Sequence, residues 1–243
     1  MGAFEYASPA SVGEVVDLLA ERPGETEVLA GGTDLLALMK DGVRSPGRVV
    51  SVRAVAELQG VEETEDGGLR LGGSATLTDL AAHPALRERY PAVARAAGYA
   101  AGPQIRNLGT LGGNVCQRPR CWYYRLGFGL LPRQDGRSMI RHGDNRHHAI
   151  LGNGGDALFV SPSTLAPILV AHGARLHLHG PDGPRETALA DFYRIPEEEG
   201  EREHDLGEGE IVTGVHLPPP PEGLRTASYE VRRGVIFEDQ KRT

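Results

Sequence analysis

The sequence predicts an α+β protein built as two consecutive units that each mix strand and helix. Three observations carry this expectation. A capped amphipathic helix is followed by a short apolar strand and a second helix within the first 54 residues. The same mixture restarts near residue 69. Two glycine-rich turns, at residues 30–35 and 109–114, fall one in each unit.

The elements read as follows. Ser11 and Glu14 have the spacing of a capping box. Val12, Val15, Val16 and Leu19 then recur on one helical face, and Pro23-Gly24 ends the helix. Residues 27–30 read as a strand, 34–40 as a short helix and 49–52 as a second strand. Residues 1–54 thus form the first, smaller unit. Residues 69–71 alternate like a strand, and G-G-S-A-T-L-T-D-L-A-A-H turns into a helix. Residues 85–108 are Ala-rich and predicted helical in two pieces, broken near Pro103. Residues 118–155, rich in Arg, Gly and His, read as one long loop. Residues 158–160 and 174–179 look like strands, the latter with Arg175, His177 and His179 on its polar face. Residues 196–210 are acidic and expected to be solvated, and 210–217 is a strand stopped by Pro218–Pro221. The second unit is therefore 55–221. Residues 222–243 remain as a linker and a short strand-like stretch, too little to build a domain.

Composition excludes several classes. The chain has 243 residues, 40% hydrophobic and 24% charged, which suits a globular protein with a proper core. No apolar run reaches the roughly 18 residues of a membrane helix, so no membrane insertion is expected. The N-terminus M-G-A-F-E-Y-A-S-P-A-S lacks the basic and apolar regions of a signal peptide, which makes a bacterial-type cytoplasm the default expectation. The net charge of −7, without a basic stripe and interleaved aromatics, argues against a nucleic-acid partner. Cys116 and Cys121 are too few for a disulfide scaffold or an iron–sulfur cluster with four thiolates. His142, His147 and His148 share one loop and read as surface groups, so no metal site is expected. There is no G-x-G-x-x-G, P-loop, G-x-S-x-G or H-E-x-x-H sequence.

The stretch A-G-G-T-D-L-L-A-L-M-K, from Ala30, admits two explanations. Bare N–H groups at a helix start bind anions, and glycine permits close approach. Alternatively it is a tight turn with Asp34 in the first helical turn, favoured by the helix dipole. The second turn, G-T-L-G-G-N, adds weight to the first explanation. Two such turns in two units suggest a diphosphate held between them, each offering unhindered N–H groups.

Taken in order, A-G-G-T-D-L-L-A-L-M-K, I-R-N-L-G-T-L-G-G-N-V, C-Q-R-P-R-C-W-Y-Y-R, G-D-N-R-H-H-A-I-L-G and S-P-S-T-L-A-P-I-L closely resemble the FAD-binding medium subunit of the molybdenum hydroxylases. That group comprises xanthine dehydrogenase, carbon monoxide dehydrogenase and aldehyde oxidoreductase, and the resemblance covers about residues 4–233. It implies the two-subdomain FAD-binding fold of the vanillyl-alcohol oxidase (PCMH) type, with FAD between the subdomains. It implies partners: a large molybdopterin-binding subunit and a small subunit with two [2Fe–2S] clusters. The medium subunit passes electrons through its flavin to a final acceptor.

Position by position, the first FAD motif of the family falls on Ala30, Gly31, Gly32, Thr33, Asp34 and Leu35. The second falls on Thr110, Leu111, Gly112, Gly113 and Asn114. Ser74 and Thr76 lie in a stretch resembling a segment near the flavin, and Ile211 in a Glu-Ile-Val match beside it. Some relatives carry a [4Fe–4S] cluster after C-W-Y-Y. Cys121 fits its first ligand position, but residues 126–156 hold no cysteine, so that cluster is expected to be absent. Members of the family continue into a C-terminal α/β domain, whereas this chain ends in G-V-I-F-E-D-Q-K-R-T, which reads as truncated or frame-shifted. A flavin brings its own redox chemistry, so no catalytic acid or base is assigned. The expected function is an electron-transfer flavoprotein subunit, active only in complex. Its rival is a binding or assembly subunit without working redox chemistry.

Overall fold

The computed structural model describes residues 1–152 and 154–228. The chain begins with β1 (Glu5–Ala7), α1 (Val12–Glu21), β2 (Thr26–Leu29), α2 (Leu35–Lys40) and β3 (Arg48–Ser51). The three strands form a parallel sheet in the order β1-β3-β2. Ser11 caps α1 by accepting from the Glu14 N–H at 3.3 Å. The reciprocal bond of the predicted capping box goes one residue further back, from the Ala10 N–H to Glu14 Oε2 at 2.8 Å. Val12, Val15 and Leu19 pack with Val50, Val52, Val55 and Leu58 as the first core. Ile211 of the distant last strand joins that core, so the second unit is anchored to the first through apolar contact.

The second sheet is antiparallel, in the order β4-β5-β10-β8-β9. Its strands are β4 (Val61–Glu63), β5 (Leu69–Gly72), β8 (Arg175–Gly180), β9 (Gly183–Ala188) and β10 (Ile211–Leu217). Leu69, Leu71, Leu176, Leu178, Val215 and Leu217 face inward, onto helices carrying Leu77, Leu80, Leu86, Val93 and Leu169. Period-two alternation produces the polar outer face predicted for Arg175, His177 and His179.

The helices of this unit are α3 (Leu77–Ala82), α4 (Pro84–Arg89), α5 (Pro91–Tyr99), α6 (Pro103–Arg106) and α7 (Leu111–Val115). After these come α8 (Trp122–Arg125), the small hairpin β6 (Arg133–Gln134) and β7 (Arg137–Ser138), and α9 (Met139–His142). The last two are α10 (Ala166–Ala171) and α11 (Leu189–Phe192).

Four expectations are corrected here. Residues 85–108 make three helices rather than two, because Pro84, Pro91 and Pro103 each open a new one. Proline has no N–H to donate and is favoured at the first helical position. Residues 118–155 are not uniform loop but hold α8, the hairpin and α9, with Tyr124 and Ile140 buried. Residues 158–160 lie in no strand. Within 196–210, Glu203 and His204 are buried, because Arg194 N–H donates to the Glu203 carbonyl and Asp205 N–H to the Phe192 carbonyl. The strand-like stretch at 228–233 and the chain end lie, from residue 229 on, outside the described residues.

Candidate functional site

A cleft of about 260 Å³ opens between the two units. Its floor begins at the end of β2, where Gly32 takes a φ of +72°. That left-handed conformation favours glycine and turns the chain into α2. The N–H groups of Gly31, Gly32, Thr33, Asp34 and Leu35 donate to no acceptor among the described residues. Unpaired backbone donors are costly when dry. Five in succession around a positive φ form a concavity suited to an anion.

Gly31 is glycine for a second reason. A Cβ there would stand 1.8 Å from the Leu108 carbonyl oxygen, so backbone from the second unit lies directly against this turn. Asp34 departs from the reading that set it in the first helical turn. It occupies the N-cap position without capping. Its carboxylate instead accepts from the Arg118 N–H at 2.9 Å and from Arg125 Nη2 at 2.8 Å, with Arg120 Nη1 at 3.6 Å.

The second glycine turn differs from its expectation. Apart from that of Thr110, its N–H groups are spent inside the protein. Leu111 donates to the Ala75 carbonyl at 2.9 Å, Gly112 to Gly73 at 2.8 Å and Asn114 to Thr110 at 2.8 Å. The Gly113 N–H donates to Thr110 Oγ1 at 3.1 Å. Gly112 lies so close to Gly73 that a Cβ would meet its carbonyl at 2.9 Å. These glycines serve close packing of α7 on the loop after β5.

The structure gathers Ala30 to Leu35, Ser74, Thr110, Gly112, Gly113 and Ile211 around the one cleft. Three expected residues lie elsewhere. Leu111 is fully buried in the second core. Asn114 is buried and its Oδ1 accepts from Ser163 Oγ at 2.8 Å and the Leu165 N–H at 3.2 Å, which fixes the approach to α10. Thr76 caps α3, accepting from the Asp79 N–H at 3.1 Å.

Cleft residues that sequence reasoning missed include Cys116, Arg118, His204 and Val212. Arg118 Nε lies 2.7 Å from Glu203 Oε1 in an ion pair that lacks the alignment of a hydrogen bond, leaving both Glu203 oxygens without a hydrogen-bond donor among the described residues. Burial and the nearby Glu203 carboxylate push the Cys116 thiol up to about 12. Burial also holds the His204 imidazole below its ordinary value, with the ring stacked on Phe192 at 5.2 Å. The clue in the sequence was the arginine run after the second turn, but nothing in its spacing points to Asp34 or Glu203.

A wider depression of about 890 Å³ adjoins the cleft, sharing His204 and Glu210 with it. There Arg185 is tied to Glu210 at 2.6 Å and Arg194 to Asp205 at 2.6 Å. It lacks the cleft's combination of unpaired N–H groups and apolar walls from Leu38, Val52, Leu58 and Ile211.

Residues 2–220 match the family described as the FAD binding domain in molybdopterin dehydrogenase. The chain belongs to this family. FAD is the cofactor of these domains, and the residues here fit it: a row of free N–H groups for phosphate beside apolar walls. The aldehyde oxidoreductase FAD-binding subunit PaoB of Escherichia coli is 35% identical over 223 residues, covering 90% of this chain and 70% of that one. A xanthine dehydrogenase FAD-binding subunit, also from Escherichia coli, is 30% identical over 221 residues, covering 90% of this chain and 60% of its own. The solved carbon monoxide dehydrogenase from Hydrogenophaga pseudoflava shares the fold with a TM-score of 0.66 at 26% identity. That match covers 91% of this chain and 61% of the other. This molybdopterin dehydrogenase FAD-binding domain thus spans about three fifths to 70% of the relatives' length. Among the described residues no helix is long and apolar enough to cross a membrane.

Proposed function

We propose that the chain is the FAD-binding electron-transfer subunit of a molybdopterin-dependent dehydrogenase, an oxidoreductase active only in complex. In this reading a large subunit oxidises substrate at molybdenum. A small [2Fe–2S] subunit delivers the electrons to this chain, which passes them to a final acceptor in the cytoplasm. The observation that carries the reading is the row of unpaired N–H groups from Gly31 to Leu35 in a cleft between two cores.

The flavin, when bound, supplies the one- and two-electron chemistry. The chain's own residues bind and orient. Gly31 to Leu35 would hold phosphate through backbone donors, with Gly32 setting the required turn. Leu38, Val52, Leu58 and Ile211 would exclude water from the apolar part of the cofactor. Ser74, Thr110, Gly112 and Gly113 would shape the opposite wall. Gly112 and Gly113 act there by letting backbone approach rather than by donating N–H groups.

The test uses purified chain and a dithionite-reduced small [2Fe–2S] subunit freed of excess reductant. Yellow protein whose flavin band bleaches on mixing supports the reading. Colourless protein, or bound flavin that the reduced partner leaves oxidised, favours the assembly subunit instead.

A further inference from the structure

A dinucleotide carries two phosphates, and of the second glycine turn only the Thr110 N–H donates to no acceptor among the described residues. One N–H alone is a weak answer to that second charge. The cleft also contains carboxylates, so the requirement is sharper still. Asp34 is neutralised by Arg125 at 2.8 Å and Glu210 by Arg185 at 2.6 Å. Of the cleft's arginines, Arg44 faces Glu27 at 3.6 Å and Arg202 stands exposed on the rim.

Arg118 is different. Its side chain is 16% exposed, and neither Nη group donates to any acceptor among the described residues. Three contacts place the residue. Its backbone N–H donates to Asp34 Oδ2 at 2.9 Å, its guanidinium lies 5.3 Å from the centre of the Tyr124 ring, and its Nε sits 2.7 Å from Glu203 Oε1. Glu203 is itself 7% exposed, with both oxygens lacking a hydrogen-bond donor among the described residues. A buried carboxylate that makes no aligned bond serves to hold a cation in place at a desolvation cost. The Asp34 contact, made by the Arg118 backbone, holds this residue beside the glycine turn whose N–H groups are free.

We propose that the Arg118 guanidinium is an anion-binding group of this cleft, taking phosphate oxygen of the dinucleotide beside the one free N–H of the second glycine turn. The proposal rests on the FAD reading above. A planar guanidinium with free Nη donors matches phosphate geometry. Anchoring it beforehand reduces the entropy lost on binding.

The experiment titrates flavin-free full-length chain with FAD, ADP and riboflavin. The proteins are the wild type, Arg118→Met, Arg118→Lys and the double variant Arg118→Met/Glu203→Gln, which avoids stranding a buried carboxylate. FAD and ADP affinity should fall about tenfold or more in Arg118→Met and in the double variant. Riboflavin, which has no phosphate, should bind as before. Arg118→Lys should recover part of the loss, and the loss should shrink as salt rises. Unchanged FAD and ADP affinity in both methionine variants would overturn the proposal. Equal loss of riboflavin affinity would do so too, since it marks a merely structural role. Wild-type chain that binds none of the three ligands would sink the FAD reading itself, a result distinct from either of these.

Discussion

Asp34 Oδ1 accepts from Arg125 Nη2 at 2.8 Å across 91 residues of chain. The same carboxylate takes the Arg118 N–H through Oδ2. One acid at the foot of the first glycine turn therefore fastens the segment that follows the second turn. The two side chains are 14% and 15% exposed, so solvent screens this pair less than a surface pair. Replacing Asp34 with Asn keeps the shape and removes the charge, leaving the Arg125 cation partly buried without its counter-ion. The expected cost is about 1–3 kcal/mol of stability. Thermal or urea unfolding of the variant measures it, and an unchanged midpoint would show that the latch contributes nothing.

The glycines should separate by mechanism. Gly31→Ala drives a Cβ into the Leu108 carbonyl and should weaken the union of the units, lowering stability by several kcal/mol unless backbone shifts. Gly32→Val penalises the +72° φ and crowds the free N–H groups, so FAD affinity should fall steeply while much of the fold persists. A Cβ at Gly113 would meet only Thr110 Oγ1 at 3.0 Å. Gly113→Ala should therefore retain most FAD affinity. Parallel flavin titrations and circular dichroism melts of the three variants check the order, and a Gly113→Ala protein that loses FAD as completely as Gly32→Val would contradict it.

Cofactor identity can be read directly. Heat or acid should release FAD from the protein, identified by chromatography, in place of FMN or a nicotinamide nucleotide. Iron should be substoichiometric, because Cys116 and Cys121 are the sequence's two cysteines and a cluster held by thiolates wants four. About four irons per chain would refute that expectation.

The thiols give a prediction on the alkaline side. Cys116 is pushed up to about 12 by burial and by Glu203, and burial raises Cys121 as well. In the unfolded chain both ionise near about pH 8.5. The unfolded state therefore sheds protons that the folded state keeps. Stability should decline as pH rises from about 9 toward 12. Alkylation by iodoacetamide at pH 8 should be slow in the native protein and fast in guanidinium. Rapid native labelling of Cys116 would show that its thiol is not held protonated as described.

Much of the architecture was written in local pattern. Val12, Val15, Val16 and Leu19 sit on one helical face by spacing alone, and Leu176 and Leu178 alternate with His177 and His179 by period two. The first glycine turn was legible for a similar reason. A positive φ at Gly32 and a row of N–H groups without acceptors are properties of a few consecutive residues. The prolines at 84, 91 and 103 were visible too, and the rule that each opens a helix would have divided 85–108 correctly.

The rest depended on contacts between distant residues. G-T-L-G-G-N has the composition of an anion turn, yet its N–H groups from Leu111 to Asn114 are consumed by Gly73, Ala75 and Thr110 once α7 packs on the neighbouring loop. Composition records which donors exist, and only the folded chain decides which are already spent. Likewise Arg118 and Glu203 are 85 positions apart, and the acidic run around Glu203 reads as solvated until backbone bonds to Phe192 and Arg194 fold it inward. The sequence by itself determined the family, the cofactor and the first glycine turn, because these rest on local residues in order. The tertiary structure alone decided which donors and charges face the cleft, because that depends on burial and pairing between segments that no local spacing encodes.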